Sequence, residues 1–446
     1  MTARSRWFLA IAVVGLVAVA AWFWYLTSAG PLTFAGPDTV RLADYKGPNP
    51  TGVPAELAQS DPLARGRYLT AAADCQTCHT REGGTPFAGG RAFKTSFGTL
   101  YSSNITPDRE TGIGAWSDGD FLRAVHTGVR PDGSHLYPAF PYAAYSYLTD
   151  DDVQAIRAYL RTVPAVKSLT PANHLAFPFN QRWLMAVWSR LFNADHRFAP
   201  NVRRSPEWNR GAYLAEALGH CGDCHTPRNV LQALNNRRKF GGALTGGWQA
   251  YNITSDRTSG VGAWAEEDLS QYLSTGHATN HGTASGPMGE AIVFSLSKLT
   301  PSDIQALVTY VRSIPPIASS DLPAVRTEVA DARLGSKSEL GTDSLGRRVF
   351  AGACSGCHGW SGASPVMDRA TLVGARAVND PTAVNAIQII LNGTPADSSS
   401  GGGMPAFGAG YSDAEIAAVA NYVTAAFGAK ASSINARTVD HLRDAT

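Results

Sequence analysis

Three short stretches decide the reading of this chain: Cys75-Gln-Thr-Cys78-His79, Cys221-Gly-Asp-Cys224-His225 and Cys354-Ser-Gly-Cys357-His358. The chain has six cysteines, and these stretches use all of them. Cys-x-x-Cys-His is the attachment signature of c-type haem. The spacing has a chemical reason. Two thiols three positions apart on a helical turn can each form a thioether to one vinyl group of a porphyrin. The histidine that follows then reaches the iron. A zinc site would need further ligands in pairs, and no cysteine is left to supply them. A dithiol oxidoreductase has no use for a histidine at the same place three times. The expectation is three covalently bound c-type haems. Cys75, Cys78, Cys221, Cys224, Cys354 and Cys357 would hold them, with His79, His225 and His358 as axial ligands.

The motifs sit in a repeat. Gly66-Arg-Tyr-Leu, Gly211-Ala-Tyr-Leu and Gly346-Arg-Arg-Val-Phe precede them by similar distances, so each opens a short helix. Asn104-Ile-Thr-Pro-Asp-Arg matches Asn252-Ile-Thr-Ser-Asp-Arg, and Gly112-Ile-Gly-Ala-Trp matches Gly260-Val-Gly-Ala-Trp. Closing helices begin at Thr149, at Thr300 with Pro301 in the first turn, and at Ser412 with Glu415 completing a capping box. This predicts a mainly α fold of three tandem class I cytochrome c-like domains, at 55–165, 203–318 and 340–430. The linkers are 166–202 and 319–339.

An electron-carrying haem normally has a second protein ligand, and axial Met raises its potential. The chain has five methionines. Met288, in Gly286-Pro-Met-Gly, and Met404, in Gly403-Met-Pro-Ala-Phe, both precede a closing helix in Gly- and Pro-rich sequence. They are expected as the distal ligands at the second and third motifs. The first repeat breaks the pattern, because Phe140 stands at the equivalent position and cannot bind iron. Met185, in Phe179-Asn-Gln-Arg-Trp-Leu-Met, is the first candidate there. His126, His135 or an open iron site are the alternatives. Met367 is expected to pack. His277 and His281 are four apart, but without a Glu between them or a helical run they read as hydrogen-bonding residues. Arg91, Arg109 and Arg257 are candidate propionate or surface partners.

Trp7–Leu26 is an unbroken apolar stretch preceded by Arg4 and Arg6. As a helix it would span about 30 Å, the thickness of a bilayer core. This predicts an N-terminal transmembrane helix within 1–30, with the rest of the chain outside the cytoplasm. A cleaved signal peptide is the rival reading. The location expected is the bacterial inner membrane, with the haem domains on the periplasmic side. Lys+Arg number 38 against Asp+Glu 36, so no basic excess points to nucleic acid.

No nucleotide-binding loop, Gly-x-Ser-x-Gly elbow or His-Glu-x-x-His helix is present. What remains is a set of one-electron centres. A partner with a flavin, quinone or molybdenum cofactor would oxidise an organic substrate. Electrons would then leave singly towards a membrane quinone or another acceptor. The alternatives are an oxidase- or reductase-linked carrier, or a haem enzyme working at an open first iron.

The chain resembles the three-haem cytochrome c subunits of bacterial membrane-bound dehydrogenases over about 60 to 430. The marks are the three haem motifs, Asn104-Ile-Thr-Pro-Asp, Gly112-Ile-Gly-Ala-Trp, Leu136-Tyr-Pro-Ala-Phe-Pro-Tyr, Phe177-Pro-Phe-Asn-Gln-Arg, Asn252-Ile-Thr-Ser-Asp and Gly403-Met-Pro-Ala-Phe. The resemblance implies an electron-transfer subunit rather than the substrate-oxidising one. Its partner would be a periplasmic catalytic subunit carrying flavin, PQQ or molybdenum. Its acceptor would be ubiquinone or a downstream respiratory component. Phe140 departs from the pattern, since several members have Met there. The strong N-terminal helix is a second departure.

Overall fold

A glycine in each opening helix sets the architecture. The computed structural model describes residues 3–27, 38–193, 195–328, 344–394 and 402–445. The first repeat opens with α2 (Pro62–Ala72), following the N-terminal α1 (Ala3–Thr27). The carboxylate of Asp61 caps α2 by accepting from Leu63 N and Ala64 N, and Pro62 fills the first turn, where no donor is lost. After the attachment segment α3 (Cys75–His79) come α4 (Asp118–Thr127), the short α5 (Tyr142–Tyr145) and the closing α6 (Asp150–Leu160). Where α2 crosses α6, a Cβ on Gly66 would lie 2.2 Å from the Ala155 carbonyl oxygen. Only glycine permits that approach.

The crossing recurs twice. A connecting helix α7 (Leu184–Phe192) leads to the second repeat, with α8 (Pro206–Tyr213), the attachment segment α9 (Gly222–His225), α10 (Glu266–Thr275), α11 (Gly286–Phe294) and the closing α12 (Pro301–Arg312). Here a Cβ on Gly211 would lie 1.9 Å from the Ala306 carbonyl oxygen. The third repeat has α13 (Leu345–Val349), the attachment segment α14 (Ser355–His358), α15 (Val384–Asn392), the closing α16 (Asp413–Phe427) and a last helix α17 (Ala436–Asp444). A Cβ on Gly346 would lie 2.1 Å from Ala418 O. In the last two repeats the opening helix runs into a π-helical turn, Leu214–Leu218 and Phe350–Cys354, just before the attachment segment. Strands are short. A hairpin of β1 (Ala92–Thr95) and β2 (Gly98–Tyr101) is extended by β3 (His174–Leu175), and β4 (Ala243–Thr245) pairs with β5 (Trp248–Ala250), both antiparallel.

The first two repeats share one core. Leu69, Leu148, Val153 and Leu160 belong to the same buried cluster as Phe198, Leu214, Leu307 and Val308. A reciprocal clamp joins them. Tyr68 of α2 donates to Asp303 of α12 at 2.5 Å, and Tyr213 of α8 donates to Asp152 of α6. Each phenol oxygen also accepts the backbone N–H of the residue that caps the opposite closing helix, Thr300 at 3.2 Å and Thr149 at 3.3 Å. This is the self-complementary pattern of a two-fold contact, here between two repeats of one chain. The third repeat has Arg348 where the others have Tyr68 and Tyr213, and it packs separately. Its buried clusters are Phe350, Val419, Tyr422 and Phe427, and Ile387, Ile416 and Val439.

The N-terminus corrects one expectation. Among the described residues no helix is long and apolar enough to cross a membrane. The helix α1 itself is present. The transmembrane element of the fold class, and the inner-membrane, periplasm-facing location drawn from it, are therefore not upheld. The fold is mainly α-helical, built as several helical bundles.

Candidate functional site

The three motif histidines are held alike. His79 Nδ1 lies 2.7 Å from Ser103 O, His225 Nδ1 2.6 Å from Tyr251 O, and His358 Nδ1 2.6 Å from Ala370 O. A carbonyl oxygen only accepts, so each Nδ1 carries the proton. Each Nε2 is left with its lone pair free to bind a metal. Burial pushes all three imidazoles below the usual histidine range, which keeps them neutral. Neutral imidazole with a fixed tautomer is the ligand that iron requires.

The carbonyl partners were not legible in the sequence, although a signal lies beside two of them. Asn104 and Asn252 directly follow Ser103 and Tyr251. The Asn104 side chain accepts from Thr106 N and Oγ1, and donates to Thr111 Oγ1 and Val166 O. Asn252 makes the same four bonds, with Thr254, Ser259 and Ile317. The repeated Asn-Ile-Thr thus ties the loop bearing the carbonyl to the chain leaving the closing helix.

None of the six cysteines is paired in a disulfide. Burial pushes Cys75, Cys78 and Cys221 up to about 12, and Cys224 and Cys354 up to about 11. A redox dithiol needs a depressed thiol pKa, so this environment argues against exchange chemistry. Among the described residues no group of three or more His, Cys, Asp or Glu is placed to hold a metal ion. His281 lies 3.2 Å from Asp268 and stacks on Trp264, whereas His277 faces Asp368 at 2.9 Å. The two are hydrogen-bonding residues with separate partners. Arg91 is likewise engaged by protein, with Thr77 O at 2.9 Å and Glu290 at 2.7 Å.

Met404 and Cys354 line one apolar cavity with Val349, Ile390, Phe407 and Val419. Met288 lies in the first turn of α11 rather than in a loop, and Met185 lies in the first turn of α7. That helix folds back on the first repeat. Ser189 donates to the Tyr142 hydroxyl at 3.1 Å, and Trp188 meets the Tyr142 ring edge-on. Phe140 packs its ring against Tyr142 and Tyr145. His126 is buried, with Nε2 lacking a hydrogen-bond partner, and burial pushes it down to about 4. His135 has the same deficit at Nδ1.

Tyr145 brings the first two motifs together. Its hydroxyl donates to Ala73 O at 2.6 Å, two residues before Cys75, and its ring lies edge-on to His220, which precedes Cys221, at 5.5 Å. The donor set fits a covalently attached haem. Each motif offers two thiols on one helical turn and a neutral imidazole whose free lone pair is fixed by its neighbour.

Comparison with known proteins agrees. The family model described as Cytochrome c matches residues 63–164, and the one described as Cytochrome C oxidase, cbb3-type, subunit III matches residues 342–423. The chain is 38% identical over 437 residues to the fructose dehydrogenase cytochrome subunit of Gluconobacter japonicus, covering 93% of this chain and 89% of the relative. It is 37% identical over 401 residues to the gluconate 2-dehydrogenase cytochrome c subunit of Pantoea cypripedii, covering 85% and 89%. It is 41% identical over 379 residues to a nicotinate dehydrogenase subunit of Pseudomonas putida, covering 82% of this chain but only 30% of that longer protein.

Proposed function

The chain belongs to the cytochrome c subunits of bacterial dehydrogenase complexes, and from that premise we propose that it carries three covalent c-type haems and relays electrons from a catalytic partner containing flavin, PQQ or molybdenum to ubiquinone or a downstream respiratory component. As a cytochrome c subunit it is distinct from the subunit that oxidises substrate. A bound haem supplies a one-electron iron couple.

The protein's own work is attachment and positioning. Cys75 and Cys78, Cys221 and Cys224, and Cys354 and Cys357 would form the thioethers. His79, His225 and His358 would present Nε2 to the irons. Met288 and Met404 would supply the distal thioethers at the second and third motifs, and Met185 at the first. The cavity shared by Met404 and Cys354 supports the third assignment. The fold-back of α7 over Tyr142 supports the first. The observation that carries the reading is the three-fold recurrence of the Nδ1–H···O=C bond at the motif histidines.

Similar cytochrome chains are named for fructose, gluconate and alcohol, so substrate choice belongs to the catalytic subunit. The match of 342–423 to an oxidase subunit model favours a second reading, an oxidase-linked carrier, but it covers the third repeat alone. Affinity purification of the native chain separates the two. Recovery with a flavin, PQQ or molybdenum subunit, and an intact mass with three haems added, is the expected result. Recovery with oxidase subunits alone would sink the dehydrogenase relay.

A further inference from the structure

The contact between the second and third repeats is built on the carbonyls that hold their motif histidines. Tyr251 O accepts from His225, while the Tyr251 hydroxyl crosses to the third repeat and donates to Asp380 Oδ2 at 3.2 Å. Asp380 is buried, and Thr382 fixes its other oxygen through N at 2.9 Å and Oγ1 at 2.7 Å. The converse holds at the third motif. Ala370 O accepts from His358 and closes a single 3-10 turn, Asp368–Ala370. The two residues before it are gripped by the second repeat. Asp368 Oδ2 lies 2.9 Å from His277 Nε2 and accepts from Thr279 Oγ1 at 2.7 Å. Arg369 donates to Thr275 O at 3.0 Å, and its own carbonyl accepts from Thr283 Oγ1 at 3.1 Å. The first motif lacks this design, because Ser103, with a short side chain, stands where the second repeat has Tyr251.

We propose that Tyr251 and Asp368 are positioning residues whose cross-repeat hydrogen bonds set the potentials of the haems attached at the second and third motifs. The hydrogen bond on Nδ1 raises the basicity of an iron-bound imidazole, and a more basic ligand stabilises the oxidised iron. A carbonyl pinned at 2.6 Å keeps that bond short. Releasing the pin lets the bond lengthen and raises the potential. Docking of the third repeat therefore tunes two centres at once, and the first motif is exempt.

The inference rests on the three-haem reading, so both are tested on the full-length, haem-loaded chain. A haemochrome assay counts the haems. Spectroelectrochemical titration follows each transition, assigned from chains in which one motif's two cysteines are replaced by Ala. Tyr251→Phe keeps the ring and backbone and removes only the cross-repeat bond. It should raise the second-motif potential, increasing the reduced-to-oxidised ratio at a fixed applied potential several-fold (a tenfold change is about 59 mV for one electron). Asp368→Ala should do the same at the third motif. Asp368→Asn, which keeps the acceptor for Thr279, should recover most of the shift. The first-motif potential should stay put throughout. Unmoved potentials with three haems present, or all three moving together, would overturn the inference alone. Fewer haems than motifs in the wild-type chain would overturn the underlying reading as well.

Discussion

At the scale of single residues, each motif histidine acts through the oxygen behind it. A ring that donates at Nδ1 cannot rotate without breaking that bond, worth about 0.5–1.5 kcal/mol net. The distal side is where residues make the sharper predictions. Met404→Ala should remove the near-infrared charge-transfer signature of one methionine-ligated haem and lower its potential, leaving the others unchanged. An unaltered band would show that Met404 only fills its cavity. Met185→Ala should change the first-motif haem alone. If all three haem spectra survive that substitution, α7 is packing, and His126, His135 or an open iron becomes the reading to pursue. Burial already holds His126 neutral at neutral pH, with its imidazole pushed down to about 4.

At the scale of elements, the repeat is a pair of helices locked at a glycine. Propensity alone favours alanine over glycine in a helix interior by about 1 kcal/mol. At Gly211 packing opposes this, since a methyl would lie 1.9 Å from the Ala306 carbonyl and the helices would have to separate. Overpacking of that kind costs about 1–3 kcal/mol, so packing wins. Gly211→Ala, like Gly66→Ala, should lower the denaturant midpoint with an unchanged slope. Gly119, exposed in the first turn of α4 and with only Ser117 Oγ near, is the control. There the substitution should be neutral or stabilising. A loss at Gly119 equal to that at Gly211 would mean that the close approach is not what glycine serves.

At the scale of the whole molecule, the clamp explains why the first two repeats share a core while the third has cores of its own. Asp303 is 1% exposed and faces both Tyr68 and the Arg210 guanidinium, 2.6 Å away. Removing a buried carboxylate strands its cation, at about 3–5 kcal/mol. Asp303→Ala should therefore destabilise the chain more than Tyr213→Phe, which removes the charge-assisted bond to Asp152, worth about 1.5–3 kcal/mol, and the weaker one from Thr149 N. Equilibrium unfolding of the two variants checks the order. If the clamp joins the first two repeats into one cooperative unit, their transitions should shift together while that of the third repeat stays in place. An independent shift of the second repeat alone would separate the units.

The sequence by itself determined the repeat and the family and named the candidate attachment residues, because these depend on residue type and local spacing. Cys-x-x-Cys-His needs only one helical turn to be meaningful, and Gly66, Gly211 and Gly346 mark the same crossing each time. Only the tertiary structure decided which carbonyl holds each histidine, that Tyr68 and Tyr213 reach across to Asp303 and Asp152, and that Met288 opens a helix. Those partners are far apart in the chain, and a backbone carbonyl leaves no mark in the amino-acid code. The apolar N-terminal stretch shows the converse. Hydropathy registered an apolar run, while among the described residues no helix is long and apolar enough to cross a membrane. A distance in folded space, unlike a spacing along the chain, is set by the packing of every element between its ends.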